Sequence, residues 1–265
     1  MPGAAKRRLD QLLVSRGQAR SRAAAQALIR AGEVRVEGQV VDKPGTQVPC
    51  QADISVARRP RYASRGGNKL EGALDAFGIH VPGRVCLDVG ASTGGFTDCL
   101  LQHGAAHVYA VDVGRGQLDW RLRNHPRVTV REGVNARHLR PEHIGEPVDL
   151  VTIDVSFISL RLVLPPLRGL VTEHGDVIAL VKPQFEASRR EVRRGGVVRD
   201  LCVRQHVVAG VAQFARAELT WSVVGAVPSA LPGPAGNVEF FLHLVPRPGE
   251  DVPVDWAQLV ATAAG

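Results

Sequence analysis

Apolar positions in the first sixty residues follow two helical patterns and then a strand pattern. Leu9, Leu12 and Leu13 recur at helical spacing, and Gly17 follows as a stop. Ser21 is placed to cap a second helix, whose Ala24, Ala25, Leu28 and Ile29 form an apolar stripe ended at Gly32. Val34, Val36, Val40 and Val41 predict a short strand pair around a turn at Gly38. From Pro44 to Tyr62 the chain becomes rich in proline and arginine, predicting a final strand and a linker. Beyond about Gly83 the pattern changes. RVCLDVG, HVYAVDVG, RVTVREG, DLVTIDVS and DVIALVKP are apolar runs of the length expected for buried parallel strands. Helical stretches are predicted between them at 94–103 and 160–170, and after them at 203–219. Two last strands, near 221–227 and 239–245, flank LPGPAGN and predict an antiparallel hairpin at the far end of the sheet. This alternation predicts a doubly wound α/β domain preceded by a small α+β module.

Composition sharpens the division. The chain has 265 residues, enough for one medium domain and an appendage. No apolar run approaches the ~20 residues of a membrane span, and no apolar stretch follows the basic residues of the N-terminus as in a secretory signal. A membrane role is therefore not expected. Cys50, Cys86, Cys99 and Cys202 form no CxxC pair and have no clustered histidine. They read as thiols of a cytoplasmic protein, with no metal site and no disulfide frame. The formal charge of +7 is unevenly placed: residues 1–61 hold 12 Lys and Arg against 5 Asp and Glu, whereas residues 62–265 hold 21 of each. A solvated basic arm would lack apolar periodicity. The first sixty residues have it, so the excess charge belongs to a folded module suited to a polyanion. Arg7, Arg16, Arg20, Arg22 and Arg30 are its candidate phosphate contacts, and Arg65 extends the set beyond it.

The first strand of the larger domain runs into LDVGASTGGFTD. A glycine-rich turn between strand and helix lets the backbone approach a nucleotide cofactor. A dinucleotide fold would have GxGxxG, whereas Gly90, Gly94 and Gly95 give GxxxGG, which disfavours NAD. Asp112, at the end of the second strand, is placed to accept both hydroxyls of an adenosine ribose. Together these are the S-adenosylmethionine arrangement. The candidate cofactor set is Asp88, Gly90, Ser92, Thr93, Gly94, Gly95, Phe96, Asp112, Asn135 and Asp154. Phe96 could equally be core, and Asn135 could equally cap the next turn.

The ends of the fourth and fifth strands carry the residues that select the chemistry. Asp154 closes DLVTIDVSFISL and Lys182 closes DVIALVKPQFE. Functional groups gather at the carboxyl ends of parallel strands, and a lysine after VIALV must be desolvated or paired. Methyl transfer to a hydroxyl needs its proton removed or polarised. Lys69, in GNKLEGALDAF, and Glu239, in NVEFFLHL, are two further candidates, each also readable as a surface position. An exocyclic base amine would call for Asn-Pro-Pro-aromatic after the fourth strand, and C5 chemistry for a cysteine. The chain has Asp-Val-Ser-Phe there, so a ribose hydroxyl is preferred. The basic stretch ASRREVRRGGVVRD supplies Arg189, Arg190, Arg193 and Arg194 as candidate phosphate clamps, or is a solvated loop.

RLDQLLVSRGQARSRAAAQALIRAGEVRVEG resembles the S4 RNA-binding module. SRGGNKL, LDVGASTGGFTD, VDVGRGQL, DVSFISL, LVKPQFE, GGVVRD and LPGPAGNVEFF resemble the TlyA family, which joins an S4 module to a methyltransferase of the FtsJ type. The resemblance covers nearly the whole chain. It implies a Rossmann-like class I methyltransferase sheet over 66–265, an S4-like domain over 1–60 and a linker over 61–65. It also implies S-adenosylmethionine as cofactor and ribosomal RNA as partner, with cytidine 2′-O-methylation as the reaction. A Lys-Asp-Lys-Glu tetrad would fall on Lys69, Asp154, Lys182 and Glu239. Lys182 would act on the 2′-hydroxyl proton, its neutral form favoured by desolvation and by Lys69, or would stabilise the alkoxide as an ammonium. Asp154 would hold Lys182 and the hydroxyl in line, and Glu239 would position Lys69 or the ribose. The family has also carried a haemolysin label, for which the sequence offers no spanning segment and no long amphipathic helix with a wide apolar face. A non-catalytic RNA-binding protein would not need the four charged residues. A monomer is the simplest expectation.

Overall fold

The computed structural model describes residues 5–56, 60–192 and 195–263. The chain divides into two units, Met1–Pro60 and Arg61–Gly265. The first comprises β1 (Lys6–Arg8), α1 (Leu9–Ser15), α2 (Arg22–Arg30), β2 (Val34–Val36), β3 (Gln39–Val40), β4 (Gln47–Pro49) and β5 (Ile54–Val56). Ser21 caps α2, its hydroxyl accepting from the Ala24 N–H at 3.2 Å. The apolar stripes of α1 and α2 bury Leu9, Leu13, Ala25 and Ile29 against Val34, Val48 and Ile54. Glu37 and Gly38 both have positive φ, 50° and 77°, the two-residue turn whose twist suits a tight hairpin.

The arginines of this unit are organised by a buried acid. Asp10 is 0% exposed; it accepts from Arg8 through both guanidinium arms, from Arg22 Nε at 3.0 Å and from Gln26 Nε2 at 2.9 Å. The Arg8 hydrogen bonds lead in holding its carboxyl far below the usual carboxylate range. Arg16 donates to the carbonyls of Ala52 and Cys50 at 2.9 and 2.8 Å, so part of its donor capacity staples α1 to the loop before β5. Arg7, Arg16, Arg20, Arg22 and Arg30 all remain exposed.

The second unit comprises α3 (Arg65–Phe77), β6 (Val85–Val89), α4 (Gly95–Gln102), β7 (His107–Asp112), α5 (Trp120–Arg123), β8 (Val128–Glu132), α6 (Pro141–Ile144) and β9 (Val148–Ile153). It continues through α7 (Leu160–Val163), β10 (Val171–Val181), α8 (Pro183–Glu186), α9 (Leu201–Leu219), β11 (Ser222–Pro228), β12 (Phe240–Val245) and α10 (Trp256–Thr262). The seven strands lie in the order β11-β12-β10-β9-β6-β7-β8. Five are parallel, and β12 runs antiparallel to both β10 and β11.

Two segments differ from the sequence reading. Residues 61–65 belong to the second unit: Tyr62 is buried in its core and Ser64 caps α3. The helix expected over 160–170 is instead α7 followed by a 3₁₀ turn at Pro165–Gly169, because Pro165 and Pro166 have no N–H to continue the α-helical ladder. Among the described residues, no helix is long and apolar enough to cross a membrane.

Side chains alternate across the sheet and feed two cores. Leu87, Val151, Ala179, Val181, Phe240 and Leu242 face one layer; Cys86, Leu150, Ile178, Leu180 and Phe241 face the other, with Leu70 and Leu74 of α3. The period of two assigns Asp88, Thr152, Asp154, Lys182 and Glu239 to the α3 face.

Candidate active site

Lys182 follows β10 in extended conformation, with φ −109° and ψ 102°. The β10–β12 ladder ends at Val181 opposite Phe240, so the next pair outward is Lys182 opposite Glu239. Glu239 Oε2 accepts from Lys69 Nζ at 2.5 Å, and the pair is buried, with side-chain exposures of 1% and 7%. On the other side, Lys182 Nζ lies 2.6 Å from Asp154 Oδ1 and donates to Ser156 Oγ at 2.9 Å. Asp154 follows β9, the neighbour of β10. The four charged residues that the sequence proposed thus stand in one row, Asp154–Lys182–Glu239–Lys69, across three adjacent strands and one helix.

Lys69 reaches this row because α3 and α4 approach closely at their glycine-rich starts. A Cβ on Gly95 would lie 2.2 Å from Ser64 Oγ and 3.0 Å from the Gly67 nitrogen, and one on Gly67 would overlap the Tyr62 ring. Gly66 and Gly67 of SRGG and Gly95 of STGG therefore let helix pack on helix. The remaining oxygen of Glu239, Oε1, has no hydrogen-bond partner among the described residues, and a Cβ on Gly233 would lie 2.4 Å from it.

Beside the row opens a cleft of about 980 Å³ lined by Gly90, Ser92, Asp112, Asn135, Asp154 and the run Val155–Ser159, with Gln184 and Phe185. Gly90 has φ 88°, and a Cβ there would lie 2.5 Å from the Asp154 carbonyl oxygen; glycine is required where the ends of β6 and β9 meet. Asp112 accepts from the backbone N–H of Ser92 at 2.8 Å and of Gly114 at 2.7 Å, one per oxygen. Asn135 both lines the cleft and caps a turn, accepting from the Arg137 N–H at 3.0 Å.

Half of the expected cofactor set lies elsewhere. Asp88 is 0% exposed and does not line the cleft. It accepts from Thr97 at 2.6 Å and from Thr152 at 3.4 Å, and burial pushes its carboxyl up to about 7. Thr93 is exposed outside the lining, and Gly94 packs where a Cβ would strike Leu122. Gly95 serves the helix contact above, and Phe96 is core, tilted against Phe241 at 6.2 Å between ring centroids.

Two aromatic residues stand together at the cleft. Phe157 is 91% exposed at the cleft, has φ 64° although it is not glycine, and lies 4.9 Å from Phe185 between centroids. Their place inside DVSFISL and KPQFE was the available signal. Arg65, Arg189 and Arg190 are exposed; Arg193 and Arg194 lie outside the described residues.

A Rossmann-like sheet with this cleft and charged row defines a methyltransferase of the FtsJ type. The model of the FtsJ-like methyltransferase family matches residues 62–245, and that of the S4 domain matches residues 7–53. The 16S/23S rRNA (cytidine-2′-O)-methyltransferase TlyA of Mycobacterium tuberculosis is 54% identical over 91% of this chain and 90% of its own length. Hemolysin A of Brachyspira hyodysenteriae is 39% identical over 90% of this chain and 99% of its own. A solved Streptococcus thermophilus structure, provisionally named a hemolysin, is 41% identical with TM-score 0.74, covering 98% of this chain and 96% of that one. The chain belongs to the TlyA family of FtsJ-like methyltransferases.

Proposed function

We propose that this protein transfers a methyl group from S-adenosylmethionine to the ribose 2′-hydroxyl of a cytidine in ribosomal RNA. The observation that carries the reading is the Asp154–Lys182–Glu239–Lys69 row beside the cleft, in a chain whose relative of 54% identity is named for that reaction. The S4 unit, which holds most of the excess positive charge, supports an RNA substrate, and an rRNA substrate in turn supports a cytoplasmic location.

The residues of the cleft fit the cofactor. Val111, Val113 and Val134 supply an apolar wall for adenine. Among the described residues, each oxygen of Asp112 accepts one backbone bond, which leaves lone pairs for the ribose hydroxyls. The side-chain Oε1 of Gln184 is buried without a hydrogen-bond partner among the described residues and offers an acceptor. Bound there, S-adenosylmethionine supplies an electrophilic methyl group on a sulfonium. Asp112→Ala is expected to weaken its binding about 10- to 100-fold, the worth of hydrogen bonds to a charged group. Isothermal titration with S-adenosylmethionine checks this, and unchanged affinity places the ribose elsewhere.

Asp154 and Ser156 hold the Lys182 amine at the cleft. Paired in this way, Lys182 stabilises the attacking oxygen as its proton leaves, and Asp154 is the adjacent acceptor for that proton. Glu239 fixes Lys69 behind them. Phe157 and Phe185 present an aromatic face on which the target base stacks once it leaves its helix. Phe157→Ala is expected to lower kcat/KM for RNA by the equivalent of about 1–3 kcal/mol. Steady-state kinetics at saturating cofactor reads this, and wild-type kcat/KM removes the stacking role.

The deciding experiment offers tritiated S-adenosylmethionine to separated, unmodified small and large ribosomal subunits, followed by nuclease digestion and nucleoside separation. Label in 2′-O-methylcytidine is expected. Label on a base, or on neither subunit, overturns the proposal.

A further inference from the structure

Two short segments meet at the cleft, 154–159 after β9, which lines it, and 182–186 after β10, which contributes Gln184 and Phe185 from α8. They are joined at three points. At one end Lys182 binds Asp154 and Ser156; in the middle Phe157 lies on Phe185. At the other end stands Glu186, whose Oε2 accepts from the Ser159 hydroxyl and Oε1 from the Leu160 N–H, both at 2.6 Å. Glu186 does not line the cleft. Burial drives its carboxyl above the ordinary value, and the bonds from Ser159 and Leu160 oppose that rise. Hydrogen bonds to a carboxylate are among the stronger ones available, so this end is firmly held.

Phe157 sits between the two fixed ends with φ 64°. A bulky residue holds a left-handed backbone only where its surroundings over-determine it. Asp154 pins the segment three residues before Phe157, and Leu160 pins it three residues after. With either pin removed, the segment relaxes toward ordinary φ and the Phe157 ring leaves Phe185.

We propose that Glu186 is a positioning residue that holds the 154–159 segment in its strained form and so keeps Phe157 displayed for the target nucleotide. The role rests on the RNA methyltransferase reading for its purpose but not for its geometry. Ser159 also caps α7, accepting from the Arg161 N–H at 3.2 Å, so a helix cap alone is the competing explanation.

The test combines hydrogen exchange of the free full-length protein with kinetics of Glu186→Ala, Glu186→Gln and Phe157→Ala, alone and combined. Glu186→Ala is expected to raise amide exchange at Leu160 and across 155–160, and to lower kcat/KM for RNA about tenfold by releasing the strained backbone. Glu186→Gln keeps an acceptor for the Leu160 N–H and is expected to stay within about threefold of wild type. Adding Glu186→Ala to Phe157→Ala is expected to cost little more than Phe157→Ala alone, because the two act through one ring. Losses that multiply in the double variant, or unchanged exchange at Leu160 in Glu186→Ala, overturn the proposal and leave a simple cap. If the exchange rises as expected while the wild-type protein methylates no RNA, the latch stands and the functional reading falls.

Discussion

Lys182→Ala is expected to lose methyl transfer by about 10²- to 10³-fold, the range for removing a group that stabilises charge developing on an oxygen. Cofactor binding should be nearly unchanged, because Lys182 is not among the residues lining the cleft. Its amine instead meets Asp154 and Ser156 at the edge where the hydroxyl must arrive. Single-turnover transfer with saturating S-adenosylmethionine separates the two effects: the chemical step slows while the titrated affinity stays. Lys182→Arg is expected to be nearly as slow, since the planar guanidinium cannot occupy the compact position of the ammonium. Near-normal turnover in Lys182→Ala would remove this residue from the mechanism and leave Asp154 as the sole candidate at the hydroxyl.

The second large effect concerns stability. Glu239→Ala leaves the Lys69 ammonium buried without its counter-charge, and breaking one side of a buried pair costs about 3–5 kcal/mol. In a domain of this size that lowers Tm by roughly 10 °C. Calorimetry of the variant checks the figure, and an unchanged Tm would mean that water reaches Lys69. Removing both charges together, as Lys69→Met with Glu239→Leu, is expected to recover much of the stability and none of the activity. The double variant therefore separates a structural ion pair from a working one.

Much of this site was legible in the sequence, for a reason that the sheet makes clear. Lys182 stands at the end of VIALV, where a charge has no packing explanation, and Asp154 stands at the equivalent place one strand away. Lys69 and Glu239 were harder, because local pattern also allows each to face solvent. Only the antiparallel register of β12 against β10, and the glycine contact between α3 and α4, bring them together. The cofactor loop was less direct to read for the converse reason. A glycine-rich string shows that something approaches the backbone, but not what. Gly90 admits a neighbouring strand end, while Gly94 and Gly95 admit side chains and a helix. Asp88 shares its strand with that loop, yet strand alternation turns it into the core toward Thr97 and Thr152. The strained backbone of Phe157 was not legible, because a left-handed φ at phenylalanine leaves no compositional mark. In the first unit, charge and apolar periodicity together pointed to a folded basic module but not to Asp10 as the acid that orients Arg8 and Arg22.

The insertion of β12 beside β10 also sets a schedule for synthesis. Lys69 and Glu239 are 170 residues apart, and translation at ~5–20 residues per second needs about 10–30 s to cross that distance. During this interval the nascent chain can form the parallel strands and the glycine contact, but Lys69 has no anion to meet and β10 has an open edge. The charged row is completed only when nearly the whole domain has left the ribosome. A chain that ends before β12 therefore lacks the Glu239 partner of Lys69 and leaves the β10 edge unpaired.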